Sequence, residues 1–182
     1  MKLAFVGHPV GGKDTAAEYV AKKFSLHHIS SGDLVRDYIT KNNLGGLDRP
    51  NVHKYAIELR NKFGGDYLVR VAFEKTKENL IVSGLRAIDE VETFKKLGGV
   101  VIAVVAPMER RYEFSKKRGR IGDDVTFEDF KKIEEEENES KDRNGQNVKK
   151  AIEMANIVIE NDGTLEDLFL KCEKVVRELQ KS

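Results

Sequence analysis

The sequence predicts an α/β fold in which a five-stranded parallel sheet lies between two layers of helices, a three-layer arrangement. Short apolar runs alternate along the chain with longer segments in which apolar residues recur at helical spacing. The short runs are rich in Val and Ile and lack strict alternation, as is typical of strands covered on both faces. Strands separated by helices pair in parallel through right-handed crossovers. The length of 182 residues suits a single domain, 1–182.

Five apolar runs are the predicted strands, with helical patterns between them. The strands are predicted at Lys2 to Val6, His27 to Ser30, Leu80 to Gly84, Val100 to Ala106 and Asn156 to Asn161. The helix after the first strand has an apolar face made of Ala17, Val20, Ala21 and Phe24. The last helix is predicted from Leu165 to about Leu179.

Helix start and stop signals support these boundaries. Pro50 opens a predicted helix that runs to about Phe63, where a pair of glycines closes it. Thr126 and Thr164 each begin a capping box. The acidic run from Glu134 to Ser140 is interpreted as a solvated helix end and turn.

Composition excludes several classes of protein. Lys and Arg number 32 against 31 Asp and Glu, so any anion site is local and a nucleic-acid surface is not indicated. The single cysteine, Cys172, excludes an internal disulfide framework and predicts a core or boundary thiol. No charged-then-apolar signal segment opens the chain, and no run approaches the ~18 apolar residues of a membrane span. We therefore expect a cytoplasmic protein.

A glycine-rich loop lies directly between the first strand and the first helix. It reads G-x-x-x-x-G-K-D-T from Gly7 to Thr15, the pattern of a loop that cradles phosphates. Glycines let successive N–H groups turn towards an anion, and the helix N-terminus adds positive potential. Lys13 reaches the β- and γ-phosphates in such loops. The predicted ATP-binding residues here are Gly7, Gly11, Gly12, Lys13, Asp14 and Thr15.

Asp14 stands where such loops usually carry a small or hydroxyl residue. A negative charge in the first turn of a helix is stabilised by about 0.3–1 kcal/mol, which is one role for it. The other role is to hold Mg²⁺ together with Thr15, because Mg²⁺ uses few protein ligands and keeps several waters. The sequence leaves both roles open.

The segment "SSGDLVR", Ser30 to Arg36, resembles the S-x-G-D-x-x-R element of nucleoside monophosphate kinases such as adenylate kinase. The resemblance implies a P-loop NTPase fold and a kinase activity. In that family the arginine grips the phosphate of the acceptor nucleotide, and a planar guanidinium suits this task. The acceptor-binding residues that the resemblance implies are Ser31, Gly32, Asp33, Arg36 and Arg86.

"LIVSGLR", Leu80 to Arg86, extends the resemblance. Adenylate kinases end the third strand in D-G-x-P-R, with the Asp serving the metal and the Arg holding the acceptor phosphate. Gly84 and Arg86 are similar to that pattern, and Ser83 stands at the Asp position. We therefore hypothesise that Asp14 replaces the missing carboxylate of the third strand.

A third segment, Glu109 to Phe130, resembles the short lid of these kinases, at about 111–126. Arg111, Arg118 and Arg120 lie around a turn flanked by Gly119 and Gly122. Arg118 and Arg120, at the turn itself, are expected to reach the transferring phosphoryl group. The acceptor-covering helices are expected at about 32–77. Either Arg60 or Arg70 faces the acceptor on this reading.

The turn from Asn161 to Gly163 resembles one in dephospho-coenzyme A kinases, where backbone groups flank the adenine of ATP. An ordinary capped strand-to-helix turn is the alternative. Overall the chain resembles archaeal-type P-loop kinases intermediate between adenylate kinase and dephospho-coenzyme A kinase.

The expected function is Mg²⁺-dependent transfer of the γ-phosphoryl group of ATP to a nucleoside monophosphate, a small-molecule partner. Phosphorylation of dephospho-coenzyme A is the first alternative, with Asp33 as the base that a hydroxyl acceptor needs. The second is a regulatory module that hydrolyses ATP slowly and acts through a partner.

Overall fold

The computed structural model describes residues 1–76, 78–119, 124–138 and 145–181. Its strands are β1 (Lys2–Val6), β2 (His27–Ser30), β3 (Leu80–Ser83), β4 (Val100–Val105) and β5 (Ile157–Glu160). All pair in parallel, in the order β2-β3-β1-β4-β5. The predicted parallel sheet is confirmed, and the predicted strands differ from the observed ones only by single residues at their ends.

Helices fill the intervals between the strands. They are α1 (Lys13–Phe24), α2 (Ser31–Lys41), α3 (Arg49–Phe63), α4 (Tyr67–Lys75), α5 (Ile88–Lys96), α6 (Met108–Arg118), α7 (Phe127–Asn138), α8 (Val148–Glu153) and α9 (Leu165–Leu179). None of the helices in the described part of the chain combines the length and apolarity that crossing a membrane requires.

Two hydrophobic cores, one on each face of the sheet, make the three layers. Along β1, Leu3 and Phe5 belong to the core shared with α1 and α9, whereas Ala4 and Val6 belong to the core under α2 to α5. Because both faces are covered, all four side chains are fully buried. Cys172 of α9 lies in the first core, and burial raises the pKa of its thiol to about 12.

The capping signals act as predicted. Pro50 lies in the first turn of α3, where the side chain of Asp48 accepts a hydrogen bond from the Asn51 N–H at 3.0 Å. At the other end of α3, the Gly64 N–H donates to a carbonyl of the last turn. Thr164 forms a capping box that opens α9.

The acidic run is not wholly solvated, so that prediction was wrong for its first residue. Glu134 is only 1% exposed, and its Oε1 accepts a hydrogen bond from Nη1 of Arg111. Nε of Arg111 donates to the carbonyl of Ala106 at 2.9 Å. This ion pair joins α7 to α6 at the end of β4. The part of the run beyond Asn138 lies outside the described residues.

Candidate active site

The phosphate loop connects β1 to α1 and packs tightly against its neighbours. Gly7 has a φ of 147°, and a Cβ there would lie 2.3 Å from the carbonyl oxygen of Val104. Gly12, with a φ of 96°, precedes α1 as its N-cap. A Cβ on Gly12 would lie 2.5 Å from Nδ2 of Asn161. Only glycine fits these two positions, because both the backbone conformation and the space exclude a side chain.

Asn161 holds the phosphate loop from β5. Its Nδ2 donates to the carbonyl of Gly11 at 3.1 Å, and its backbone N–H donates to the Val105 carbonyl at 2.7 Å. The side chain is buried, so these bonds are shielded from water. Asn161, predicted to lie beside the adenine, therefore directs its amide towards the phosphate loop.

Lys13 and Asp14 form an ion pair on the loop. The Lys13 side chain is 4% exposed, and its Nζ lies 3.0 Å from Oδ2 of Asp14, which is 54% exposed. A buried ammonium group requires a compensating partner, and Asp14 supplies it. The first turn of α1 therefore carries both the cation that is predicted to bind phosphate and the counter-ion of that cation.

The Asp14 carboxylate is ionised at neutral pH. Desolvation acts to raise its pKa, but the Lys13 charge, hydrogen bonds from Ser83 and Lys13, and the Arg86 charge together lower it from 3.8 to about 2. Ser83 is thus one of the groups whose proximity lowers the pKa of Asp14. That Asp14 replaces the carboxylate of the third strand stays a hypothesis.

His28 joins this group, and sequence reasoning missed it. Its Nε2 lies 2.9 Å from Oγ of Ser83, which is completely buried. Burial lowers the pKa of His28, and the nearby charges of Asp14, Glu18 and Asp33 oppose that shift. A histidine within a strand carries no local signal of such a contact, which follows only from the pairing of β2 with β3.

The residues that are predicted to bind the acceptor lie at the ends of β2 and β3. Ser31 Oγ donates to the carbonyl of Gly84 at 2.7 Å, which fixes the start of α2 against the end of β3. Nη1 of Arg36 lies 2.7 Å from Oδ1 of Asp33. Gly32 leaves room for that guanidinium, since a Cβ there would lie 3.1 Å from its Nη1. Ser31, Gly32, Asp33 and Arg36 therefore lie together at the start of α2, beside the end of β3.

Arg86 is held by two separate contacts. Its Nη1 donates to Oε1 of Gln146 at 2.7 Å, and its backbone N–H donates to Oε2 of Glu90 at 2.8 Å. Oε1 of Glu90 accepts from Nε of Arg60 at 2.9 Å, inside the protein. The Arg70 side chain, by contrast, is 48% exposed at the protein surface. Of the two arginines left open by the sequence, Arg60 is the one beside Arg86.

The arginines of the predicted lid lie only partly within the described residues. Arg118 lies exposed in the last turn of α6, and Gly119 ends the helix with a φ of 60°. Arg120 and Gly122 lie outside the described residues. Of the three predicted lid arginines, Arg111 is buried in its ion pair with Glu134.

Arg110 is a second residue that sequence reasoning missed. Its Nη1 and Nη2 donate to the carbonyls of Asp162 and Gly163, in the turn predicted to flank adenine. Its guanidinium also lies 5.3 Å from the centre of the Phe114 ring. α6 is therefore joined to that turn.

The donor set is consistent with Mg²⁺ brought in by a nucleotide. The described residues contain no group of three or more His, Cys, Asp or Glu that could hold a metal by themselves. Mg²⁺ needs no such group when phosphates and water supply most ligands. The ionised Asp14 and the exposed hydroxyl residue Thr15 offer the one or two protein oxygens that remain.

Comparison with known proteins agrees with the fold. A family model described as an AAA domain matches residues 6–131. A UPF0200/UPF0201 protein of Archaeoglobus fulgidus is 38% identical over 189 residues, covering 99% of this chain and 56% of that protein. This chain thus spans about half the length of that relative. A UPF0200 protein of Methanocaldococcus jannaschii is 34% identical over 184 residues, covering 97% of this chain and 89% of that protein.

A solved structure shows the same architecture. Shikimate kinase from Bacteroides thetaiotaomicron superposes with a TM-score of 0.66 at 13% identity, covering 99% of this chain and 98% of that one. At this identity the likeness concerns the fold alone. The sheet order, the phosphate loop and these matches agree, and the predicted P-loop kinase type is confirmed. The chain belongs to the AAA-domain family and to the UPF0200 proteins, and it has the P-loop kinase fold.

Proposed function

We propose that the chain is a phosphotransferase that moves the γ-phosphoryl group of ATP to a nucleoside monophosphate. One observation carries this proposal: the phosphate loop and the arginine-bearing acceptor segments lie at the same edge of the sheet. β1 and β3 are paired neighbours, and the loop with Lys13 follows β1 whereas Arg86 follows β3. The charge of Arg86 lowers the pKa of Asp14, so the two sides of the site are electrostatically connected.

In the proposed reaction the chain binds and aligns two phosphate groups. Lys13 and the backbone N–H groups of 11–15 hold the β- and γ-phosphates, while Arg36 and Arg86 hold the acceptor phosphate. Asp14 and Thr15 would hold Mg²⁺, which neutralises charge on the transferring group. An acceptor phosphate is its own nucleophile, so the chain needs no base. Alignment and charge stabilisation account for the rate.

The lid completes the proposed site. Arg118 and Arg120 are the residues to which we assign the screening of negative charge on the phosphoryl group in transit. Closure of the lid excludes water, which suppresses hydrolysis of ATP. Arg110 of α6 donates hydrogen bonds to the carbonyls of Asp162 and Gly163. These bonds connect the lid to the turn that is proposed to flank the adenine of ATP.

A hydroxyl acceptor is the second candidate, because Asp33 is available as a base. Its carboxylate is 69% exposed, lies in the acceptor segment, and is oriented by Arg36 at 2.7 Å. Dephospho-coenzyme A is one acceptor of this kind. Shikimate is another, since shikimate kinases share the fold.

A panel of acceptors tests the proposal. Purified protein is incubated with Mg-ATP and each ribo- and deoxynucleoside monophosphate, dephospho-coenzyme A or shikimate, and the products are separated by chromatography. One preferred nucleoside monophosphate is the expected result. A preferred hydroxyl acceptor would establish the second candidate. ADP formed at one slow rate with every acceptor, and with none, would overturn both and favour a regulatory ATPase.

A further inference from the structure

We propose that Gln146 is a positioning residue that holds the guanidinium of Arg86 in the orientation in which it binds the acceptor phosphate. The inference rests on the proposed function and deepens it, because it adds a residue outside the segments that the sequence assigns to the acceptor. Gln146 lies directly before α8, whereas Arg86 follows β3, and 60 residues separate them along the chain.

The backbone of Arg86 is fixed at both of its polar groups. Its N–H donates to Oε2 of Glu90 at 2.8 Å, and its carbonyl accepts from the N–H of Asn147 at 2.8 Å. Glu90 is completely buried, and its Oε1 accepts from Nε of Arg60, which is 2% exposed. Because the N–H and the carbonyl of Arg86 are both bound, only its side-chain torsions remain to be set.

Gln146 sets those torsions. Its Oε1 accepts a hydrogen bond from Nη1 of Arg86 at 2.7 Å, and Gln146 itself is only 5% exposed. The neighbouring Asn147 caps α8 by accepting from the N–H of Lys150 at 3.3 Å, and Val148 anchors the same helix at 1% exposure. Two consecutive residues thus bind the guanidinium and the carbonyl of one arginine, so its side chain is held at both ends.

The chemistry of an amide suits this task better than that of a carboxylate. Elsewhere in the structure, carboxylates hold the buried side chains of Arg60 and Arg111. A carboxylate beside a guanidinium adds an opposing charge that competes with a phosphate, whereas the amide oxygen of Gln146 carries no net charge. A guanidinium can bind a phosphate through Nε and Nη2 while its Nη1 donates to an amide. Arg86 is half-buried, as suits a residue that meets a ligand.

An arginine that is oriented in advance binds its ligand more strongly. A mobile arginine side chain populates many rotamers, and a phosphate that binds it must order it at a cost in free energy. Because Gln146 orders the Arg86 side chain when the protein folds, the acceptor does not bear that cost. The effect belongs to the acceptor, since the proposed ATP contacts are made by the phosphate loop.

Calorimetry tests the inference with Mg-ATP and, in separate titrations, with AMP, CMP, GMP and UMP. Gln146→Met keeps the length of the side chain without its oxygen. For the monophosphate that the parent binds most tightly, we expect Gln146→Met to bind about fivefold to tenfold more weakly, with Mg-ATP within about twofold. In an Arg86→Ala background, Gln146→Met should cause no further loss, because it acts only through that arginine. Gln180→Met, at the exposed end of α9, is the matched control and should bind both ligands as the parent does.

Gln146→Glu separates positioning of Arg86 from support of the fold. This variant keeps an oxygen that accepts from Nη1 and adds a negative charge beside the guanidinium. We expect the monophosphate to bind at least about tenfold more weakly, because the carboxylate competes with its phosphate. If Gln146 only supported the fold, Gln146→Glu would bind the monophosphate as the parent does.

Four results would overturn the inference while the proposed function stands. They are unchanged monophosphate binding by Gln146→Met, an equal loss for the monophosphate and Mg-ATP, additive losses from Gln146→Met and Arg86→Ala, and parental binding by Gln146→Glu. A parent protein that binds Mg-ATP but none of the four monophosphates would overturn the proposed nucleoside monophosphate acceptor and the inference with it.

Discussion

The ammonium group of Lys13 lies 3.0 Å from the carboxylate of its neighbour Asp14, so the phosphate loop carries its own counter-ion. This contact accounts for an acidic residue beside a site built for anions. Without a nucleotide, Asp14 compensates a buried cation. In the proposed reaction, the same carboxylate would be one of the groups that hold Mg²⁺.

Replacing Asp14 with Asn should separate these two roles. Metal-free ATP should bind about threefold to tenfold more tightly, because a negative charge near the triphosphate is removed. Mg²⁺-dependent turnover should fall at least about tenfold, because the metal loses a ligand. Calorimetry and product formation measure the two effects. Glu166→Gln, in the first turn of α9, is the matched control. Undiminished turnover in Asp14→Asn would contradict the metal role and leave Asp14 as a counter-ion of Lys13 at the start of the helix.

Acid should destabilise the parent protein more steeply than Asp14→Asn. The folded-state pKa of Asp14 is lowered from 3.8 to about 2, so its contribution is fully present above pH 3.8 and is lost as the pH falls through 2. The free energy of unfolding, measured by urea denaturation between pH 5 and pH 2, should therefore fall less in the variant. Equal slopes for the two proteins would contradict the pKa shift.

Moving the carboxylate from position 14 to position 83 should preserve Mg²⁺-dependent turnover. Ser83→Asp alone adds a second, buried carboxylate near Asp14 and should abolish most activity. Adding Asp14→Gly should restore Mg²⁺-dependent turnover to within about tenfold of the parent, with about 1 kcal/mol of stability lost to glycine in a helix. Turnover in the double variant no better than in Ser83→Asp would show that the positions are not equivalent.

The Arg111–Glu134 pair should matter strongly for stability when only one partner is removed. Glu134→Leu leaves a buried guanidinium without its carboxylate and should lower the free energy of unfolding by about 3–5 kcal/mol. Arg111→Met combined with Glu134→Leu should recover most of that loss. Glu135→Leu, on the exposed face of the same helix, should change stability by about 0.5 kcal/mol or less. Urea denaturation provides all three values, and additive losses in the double variant would contradict the coupling.

Replacing Arg36 should weaken binding of the acceptor and leave binding of ATP unchanged. Arg36→Ala removes a charged donor and should raise the acceptor KM about tenfold to a hundredfold, with ATP affinity within about twofold. Arg70→Ala, on the outside of the acceptor-covering helices, is the control and should leave both constants near parental values. Steady-state kinetics with the acceptor identified by the panel gives the result. Equal effects of the two substitutions would contradict the assignment of Arg36 to the acceptor site.

The sequence predicted the parts of the structure that local rules determine. Strand positions follow from apolar runs, the ends of α3 from Pro50 and Gly64, and the phosphate loop from its glycines. Glu134 could not be predicted, because its burial depends on an arginine in another helix. His28 could not be predicted either, since its contact requires the register of β2 against β3.

The buried thiol has a practical consequence for measuring movement of the proposed lid. Cys172 is 1% exposed and holds its proton at neutral pH, because its pKa is about 12. It is the only cysteine in the sequence. Maleimide reagents attack the thiolate of accessible cysteines, so we expect Cys172 not to react with them. A single cysteine introduced at the exposed Arg118 would therefore carry a fluorophore at one defined point, with no need to re-engineer the core.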